Sequence, residues 1–198
     1  MTDVVAIYEA HAADLGARYD KVSSEALLAP VIDLLPPAPA TVLDIGAGSG
    51  RDAAWFAGRG DSVTVAEPAQ AFQAIIAARL PQVRIADARL PGLEGITGPF
   101  DLILASGVWH HLAEGERRAG FERIARLLAP GGRVILSLRH GPIAAGQPIH
   151  PLDAAAEADG ARAAGLVLLR CRAAPSQQSG NEMAGVTWTW LALERTAS

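Results

Sequence analysis

Short apolar runs alternate with helix-like segments from residue 41 onward, and this alternation constrains the fold more than any other feature. The central runs are apolar almost throughout, which is typical of strands buried on both faces of a parallel sheet. We predict seven strands at 41–45, 62–66, 83–86, 100–105, 133–138, 166–171 and 186–194. We predict helices between them at 52–58, 69–80, 114–128 and 153–164.

The connection before the last strand predicts its direction. Residues 172–185 are rich in Ser, Gln, Gly and Asn and leave no room for a crossover helix. A parallel neighbour would need such a crossover, so we expect the last strand to be antiparallel. The fold class predicted is α/β, with one seven-stranded sheet, helices on both faces and an antiparallel last strand.

A proline cluster at 36–39 is the strongest boundary in the chain. Residues 3–35 before it read as helix in two pieces, the second beginning near Ser24 as N-cap. We therefore predict one domain over 1–198, made of an N-terminal helical segment (1–40) and a core (41–198).

Composition and charge exclude several classes of protein. Cys171 is the single cysteine, so neither an intramolecular disulfide nor a zinc site with paired thiolates can form. We place it in the core of the sixth strand. The net charge of −4 disfavours a broad nucleic-acid surface. The N-terminus lacks the features of a secretory signal and no apolar run is long enough to span a membrane, so we predict a cytoplasmic protein without a membrane partner.

A glycine cluster follows the first strand in the sequence Asp44-Ile-Gly-Ala-Gly-Ser-Gly50. Glycines at alternate positions allow a tight turn and close approach of the backbone to a ligand. Glu67 ends the second strand, where an acid can accept hydrogen bonds from ribose hydroxyls. Arg51 occupies the position of the third glycine in a dinucleotide fingerprint, which disfavours an NAD-dependent oxidoreductase. A nucleoside ligand with an amino-acid moiety fits better.

These segments resemble the motifs of class I S-adenosylmethionine-dependent methyltransferases, which have a Rossmann-like fold. The resemblance covers about residues 18–195, and its closest members are bacterial small-molecule enzymes. Five segments in order carry it: VLDIGAGSGRDA, VTVAEPA, VRIADARLPGL, FDLILASGVWHHL and RIARLLAPGGRVILSLRHG.

The resemblance implies S-adenosyl-L-methionine as cofactor and S-adenosyl-L-homocysteine as product. Glu67 would bind the ribose, Pro68 would lie beside the adenine, and Asp87 and the Ala88 N–H would bind the adenine edge. The N-terminal segment would form a lid over the cofactor, with Tyr19 the better placed of its two tyrosines. The implied cofactor residues are Tyr19, Asp44, Gly46, Ala47, Gly48, Glu67, Pro68, Asp87, Ala88 and Ser106.

Several kinds of methyltransferase are disfavoured. The loop after the fourth strand reads Ala-Ser-Gly-Val at 105–108 and lacks the Asn/Asp-Pro-Pro-Tyr/Phe motif of base-amino enzymes. Cys171 lies too far along the chain for a nucleophile at that loop. The acidic residues do not cluster as a metal-dependent transfer requires, and adjacent histidines on a helix diverge by about 100°, so no metal site is predicted.

Histidines after the fourth and fifth strands are the candidates for acid-base catalysis: His110, His111 and His140. One of the first two could instead pack or cap the next helix. Trp109 could be a packing residue, Arg51 and Asp52 could pair with each other, and Arg139 could bind an acidic substrate group.

The function predicted is methyl transfer to an O, N or S atom of a small-molecule acceptor. Three alternatives remain open: a methyltransferase acting on a protein or nucleic acid, a non-catalytic S-adenosylmethionine-binding protein, and an NAD-dependent oxidoreductase. The sequence does not identify the acceptor or the oligomeric state.

Overall fold

A seven-stranded sheet in the order β3-β2-β1-β4-β5-β7-β6 forms the centre of the computed structural model. The structure describes residues 4–143 and 148–196. Residues 1–3 of the predicted N-terminal segment and 197–198 of the core therefore lie outside the described residues, as do 144–147 between β5 and α6. The strands are Thr41–Ile45 (β1), Ser62–Ala66 (β2), Arg84–Ala86 (β3), Phe100–Ala105 (β4), Leu128–His140 (β5), Leu166–Pro175 (β6) and Thr187–Arg195 (β7).

Strand directions confirm the predicted topology. β1 pairs in parallel with β2 and β4, and β4 pairs in parallel with β5. β7 is antiparallel to both β5 and β6, between which it lies. The carboxyl ends of β1, β2, β3, β4 and β5 consequently meet at one edge of the sheet, where open α/β folds bind their ligands.

Seven α-helices accompany the sheet in the described chain. They are Val4–Tyr19 (α1), Ser24–Leu28 (α2), Arg51–Gly58 (α3), Gln70–Arg79 (α4), Glu114–Leu127 (α5), Ala154–Ala163 (α6) and Ser179–Met183 (α7). Short 3-10 turns lie at Ile32–Leu34 and Trp109–His111.

Helices cover both faces of the sheet through two separate buried clusters. On one face, Phe121 and Ile124 of α5 and Ala161 of α6 pack against the central strands. On the other face, Phe56 of α3 and Ile76 of α4 do the same. Burial on both sides explains why the central strands are apolar at consecutive positions rather than at alternate ones.

The N-terminal segment supplies no strand: its first helix, α1, packs on the outside of α4, whereas Leu28 and Val31 join the main core. Ala12 of α1 is buried against Ala69 and Phe72, and Tyr8 and Tyr19 pack beside the Phe72 ring. The apolar face of α1 is therefore buried at the carboxyl edge of the sheet rather than against the main core.

Three local predictions are wrong. Cys171 is exposed, because β6 is the edge strand and its outer face has no helix over it. Ser23 rather than Ser24 caps α2, accepting a hydrogen bond from the Ala26 N–H at 3.2 Å. The segment 172–185 extends β6 to Pro175 and then forms the short helix α7, although its polar composition suggested a loop.

Candidate functional site

The glycine loop after β1 adopts a conformation that other residues rarely take. Gly46, Gly48 and Gly50 all have positive φ angles, of 65°, 55° and 75°. A Cβ atom on Gly46 would lie 2.6 Å from Cγ2 of Val108, which follows β4. The loop therefore requires glycine at this position both for its backbone angles and for space.

Glu67 binds the glycine loop directly. Its carboxylate accepts hydrogen bonds from the Gly48 N–H at 2.9 Å and from the Ala69 N–H at 2.9 Å. The side chain is buried, and this burial raises the pKa of Glu67 against the opposing effect of the two amide donors. Each carboxylate oxygen can accept a further hydrogen bond, so Glu67 can support the loop and still bind hydroxyl groups.

Asp44 is a buried carboxyl at the end of β1 with one oxygen that lacks a partner. Its residue exposure is 2%, and Oδ2 accepts no hydrogen bond. Burial, followed by the nearby Asp52 charge, raises the pKa of Asp44 well above its usual range. An unpaired buried acceptor is costly unless a ligand supplies a donor or a positive charge.

Arg51 and Asp52 form the ion pair that the sequence allowed. The guanidinium donates to both oxygens of Asp52, at 2.9 and 2.7 Å, and the Ser24 hydroxyl donates to the same carboxylate at 2.6 Å. Arg51 also donates to the Tyr19 carbonyl at 3.0 Å. Both side chains therefore hold α2 and the end of α1 against α3.

The other predicted cofactor residues lie along the same edge of the sheet. Pro68 follows Glu67, whose N–H donates to the Ala86 carbonyl at 3.0 Å and so ties the ends of β2 and β3 together. Asp87 is exposed and Ala88 is buried directly after β3. The remaining two, Ala47 and Ser106, are half-buried.

The Tyr19 ring of the N-terminal segment contacts the glycine loop. A Cβ atom on Gly48 would lie 3.3 Å from two carbons of the Tyr19 ring. Asp20 accepts from the Ser49 hydroxyl at 2.7 Å and pairs with Arg79 of α4. Glu9 accepts from the Ala71 N–H at 3.0 Å and so caps the first turn of α4. Polar contacts thus hold α1 against the loop and α4.

A hydrogen-bonded chain joins α1 to the 3-10 turn after β4. The Tyr8 hydroxyl lies 2.8 Å from His111 Nε2, and His111 Nδ1 lies 2.8 Å from the Pro148 carbonyl. A carbonyl only accepts, so Nδ1 carries the proton and Nε2 accepts from Tyr8. Burial lowers the pKa of His111 and raises that of Tyr8, so both side chains are neutral near pH 7.

The other candidate residues differ from His111 in their surroundings. His110 is buried, its Nδ1 has no partner, and burial lowers its pKa well below the usual range. His140 Nε2 lies 2.9 Å from the Thr189 hydroxyl, and no described contact joins it to the other two histidines. Trp109 is fully buried against Phe121 and donates to Glu157 at 2.7 Å, so it is a packing residue.

Two residues that lie near His110 and His111 were not among the site residues predicted from the sequence. Tyr8 contacts His111 across 103 positions of sequence, a pairing that no local pattern reveals. Trp188, at the start of β7, lies edge-on to His110 with ring centroids 6.0 Å apart. Its only sequence signal was its place in an apolar strand.

Within the described residues, no helix is long and apolar enough to cross a membrane. Nor do three or more His, Cys, Asp or Glu side chains within 4–143 and 148–196 come together in a group that could hold a metal ion.

Comparison with protein families matches residues 42–132 to a model described as a methyltransferase domain. The chain is 26% identical over 135 residues to an uncharacterized methyltransferase of Oceanobacillus iheyensis, covering 67% of this chain and 62% of that relative. It is 31% identical over 99 residues to another from Bacillus licheniformis, covering 48% of this chain and 46% of the relative. The chain thus spans roughly half the length of these relatives.

Solved structures share the fold over almost the whole chain. A 1,6-didemethyltoxoflavin-N1-methyltransferase of Burkholderia thailandensis, with S-adenosylhomocysteine bound, has a TM-score of 0.67 at 25% identity, covering 94% of this chain and 90% of that one. The [4+2]-cyclase SpnF has a TM-score of 0.79 at 16% identity, covering 98% and 96%. At that identity the likeness to the cyclase concerns the fold alone.

Proposed function

We propose that the chain, whose residues 42–132 match a methyltransferase domain, is a class I S-adenosylmethionine-dependent methyltransferase that transfers a methyl group from S-adenosyl-L-methionine to an O, N or S atom of a small molecule. The observation that carries the proposal is the conjunction at one sheet edge of a glycine loop, the buried Glu67 on that loop, and the unpaired buried oxygen of Asp44. These three features lie on neighbouring strands and suit a nucleoside joined to an amino acid.

The residues present fit this cofactor. Asp44 Oδ2 lacks a donor, and the amino-acid moiety carries a positively charged ammonium that can supply one. Glu67 retains lone pairs for the ribose hydroxyls beyond those that bind the Gly48 and Ala69 amides. Pro68, Asp87 and Ala88 would hold the adenine, and Ala47 and Ser106 would line the methionine part.

The cofactor, when bound, supplies an electrophilic methyl group on a sulfonium. The chain's own contribution is to orient the acceptor, exclude water and take a proton where the acceptor carries one. Tyr19 over Gly48 and the polar contacts of Glu9 and Asp20 support a role of residues 1–40 as a lid over the cofactor.

His111 is the best supported proton acceptor among the three histidines. Its Nδ1–H is held by the Pro148 carbonyl, which leaves the Nε2 lone pair directed at a hydroxyl, at present that of Tyr8. An acceptor hydroxyl or amine that displaces the Tyr8 hydroxyl would meet a neutral base in the correct tautomer. His110 and His140 have no comparable arrangement, so we assign them to packing and to the Thr189 contact.

A small acceptor is favoured over a protein or nucleic acid by the molecule's charge and by its covered edge. The net charge is −4, and α1 lies across the edge of the sheet that a large substrate would have to approach. The same considerations support a cytoplasmic protein without a membrane partner, which stays a prediction.

Calorimetry with S-adenosylhomocysteine and with NAD tests the cofactor. We expect binding of the first and none of the second; the opposite result would contradict the proposal. Incubation with methyl-labelled S-adenosylmethionine and separate metabolite, protein and nucleic-acid fractions of a bacterial extract then tests the acceptor. Label in the metabolite fraction is expected, and label confined to either macromolecular fraction would overturn the small-molecule assignment.

A further inference from the structure

Arg139 ends β5 beside the Tyr8–His111 pair and lacks an acidic partner. Its side chain is half-buried, and its one described hydrogen bond runs from Nη2 to the Pro142 carbonyl at 2.9 Å. No carboxylate of the described residues lies within ion-pair distance of it. The guanidinium has five N–H donors, so most of its hydrogen-bonding capacity remains available.

Most other half-buried arginines of this chain are matched by acids or by several carbonyls. Arg51 pairs with Asp52, Arg117 with Glu157, and Arg133 with Glu194. Arg123 donates to three backbone carbonyls, those of Gly92, Leu93 and Ile96. Arg195 also lacks an acid and donates to the Leu128 carbonyl, but it lies at the opposite end of the sheet. Arg139 differs from it by its place at the carboxyl edge, on the side of the proposed proton acceptor.

The charge of Arg139 acts on the side chains that surround the proposed acceptor position. It contributes to lowering the pKa of both His110 and His111, and it opposes the burial that raises the pKa of Tyr8. Burial lowers the pKa of Arg139 itself, with Tyr8 the opposing neighbour. These effects agree with the geometry, in which Arg139 lies opposite Trp188 of β7 and the Trp188 ring lies beside His110.

Aromatic rings lie opposite Arg139 and beside the two neighbouring histidines. Trp188 is the register partner of Arg139 on β7, so the two side chains share one face of the sheet. The Trp188 ring also lies edge-on to His110, and the Tyr8 ring is edge-on to His111 with centroids 5.6 Å apart. Flat aromatic walls favour a planar ligand over a bulky aliphatic one.

We propose that the acceptor is a small planar acid whose anionic group is bound by Arg139, while its methylated group faces His111. This inference rests on the proposed function and adds the chemical class of the acceptor. A guanidinium binds a carboxylate through two parallel hydrogen bonds, which fixes direction as well as charge. The anion would thereby orient the neighbouring hydroxyl, amine or thiol toward His111 Nε2.

The test uses the full chain saturated with S-adenosylhomocysteine. Calorimetric titrations compare 2-, 3- and 4-hydroxybenzoate with the three corresponding hydroxybenzamides, which keep the ring and the hydroxyl but lack the charge. We expect at least one hydroxybenzoate to bind about 10- to 100-fold more tightly than its amide, the range for losing a charged hydrogen-bonded partner. Equal affinities for all three pairs would overturn the proposal.

Variants then test whether Arg139 causes the preference for the hydroxybenzoate over its amide. Arg139→Gln should abolish this preference, and Arg139→Lys should retain part of it. Arg126→Gln removes the same charge from an exposed position on α5 and should leave the preference intact. A preference that persists in Arg139→Gln would also overturn the proposal. S-adenosylhomocysteine affinity, measured first for each variant, separates the two failures: if the wild type does not bind it, the proposed function fails, whereas normal cofactor binding without a carboxylate preference contradicts only the acceptor class.

Discussion

The proposed nucleoside side of the site (Asp44, Gly46, Gly48 and Glu67) and its proposed acceptor side (Tyr8, His111, Arg139 and Trp188) are built in different ways. On the nucleoside side, backbone groups of one loop meet an acid from the next strand, and the hydrogen bond from Gly48 to Glu67 spans 19 positions of sequence. On the acceptor side, single side chains come from α1, a 3-10 turn and two strands. The first arrangement tolerates few substitutions, whereas the second can change one residue at a time.

This difference explains how one fold serves many acceptors. Substitution at Tyr8 or Arg139 changes the acceptor surroundings without altering the backbone that would hold the cofactor. The likeness of fold to both a methyltransferase and a cyclase agrees with this view, because a fold alone does not specify the reaction.

The largest effect is expected on the nucleoside side, from Gly46→Ala. The new methyl group would lie 2.6 Å from Val108. The alanine would also have to adopt a φ angle near 65°, which is strained for any residue other than glycine. We expect about 1–3 kcal/mol less stability in denaturant unfolding and at least about tenfold weaker S-adenosylhomocysteine binding, equivalent to about 1.4 kcal/mol.

Gly95→Ala is the matched control for the Gly46 variant. Gly95 has φ of 73°, but an added Cβ atom would meet nothing within 4 Å. This variant should show the cost of backbone strain alone and bind S-adenosylhomocysteine normally. Equal binding by the two variants would mean that the loop does not approach the cofactor at Gly46.

Glu67→Ala should have the next largest effect on binding. The substitution removes the proposed ribose acceptor and also leaves the Gly48 and Ala69 amides without their partner. We expect S-adenosylhomocysteine binding to weaken by about 1–3 kcal/mol in calorimetry. Glu122→Ala, which removes a half-buried carboxyl on α5 that pairs with Arg118, serves as the control and should bind normally. Wild-type affinity in the Glu67 variant would refute the ribose assignment.

A pH experiment on Asp44→Asn examines the unpaired oxygen. The folded-state pKa of Asp44 lies well above its unfolded value of 3.8, so the native state binds more protons and loses stability as pH rises above that value. The Asn variant avoids this loss. The free energy of unfolding of the Asn variant, relative to that of the wild type, should therefore increase as pH rises above 3.8, while its cofactor binding weakens.

Asp101→Asn gives the opposite sign and serves as the control for that slope. Hydrogen bonds from the Thr41 N–H and hydroxyl lower the pKa of Asp101, so its contribution is present above 3.8 and lost as pH falls. The Asp101 variant should therefore fall further behind the wild type as pH rises. If the difference in the free energy of unfolding from the wild type changes with pH in the same direction for both variants, the burial argument for Asp44 is contradicted.

Sequence patterns predicted the fold well, for a physical reason, and did not reveal the contacts around His111. The strands, the antiparallel β7 and the place of Glu67 at the end of β2 follow from periodicity and from connection length, which act over short stretches of chain. The Tyr8–His111 contact depends on how α1 packs against α4, and the exposure of Cys171 depends on which strand forms the edge. Tertiary packing decides both, and neither leaves a local pattern.

The smallest expected effect concerns the link between the two sides, the Tyr8 hydroxyl on His111. Tyr8→Phe removes one hydrogen bond and keeps the ring packed on Phe72, so α1 should lose about 0.5–1.5 kcal/mol of local stability. Hydrogen exchange in residues 5–25 should become correspondingly faster in the free protein, while exchange in β6 stays unchanged. In the wild type the protection of the same segment, corrected for the intrinsic pH dependence of amide exchange, should decrease as pH falls below the usual His value of 6.5, since protonation of Nε2 removes the acceptor. The Phe variant should lack most of this pH response, and S-adenosylhomocysteine should slow exchange in the segment in both proteins. If exchange in residues 5–25 is identical with and without ligand, α1 is fixed packing rather than a lid, and the acceptor side would have to open elsewhere.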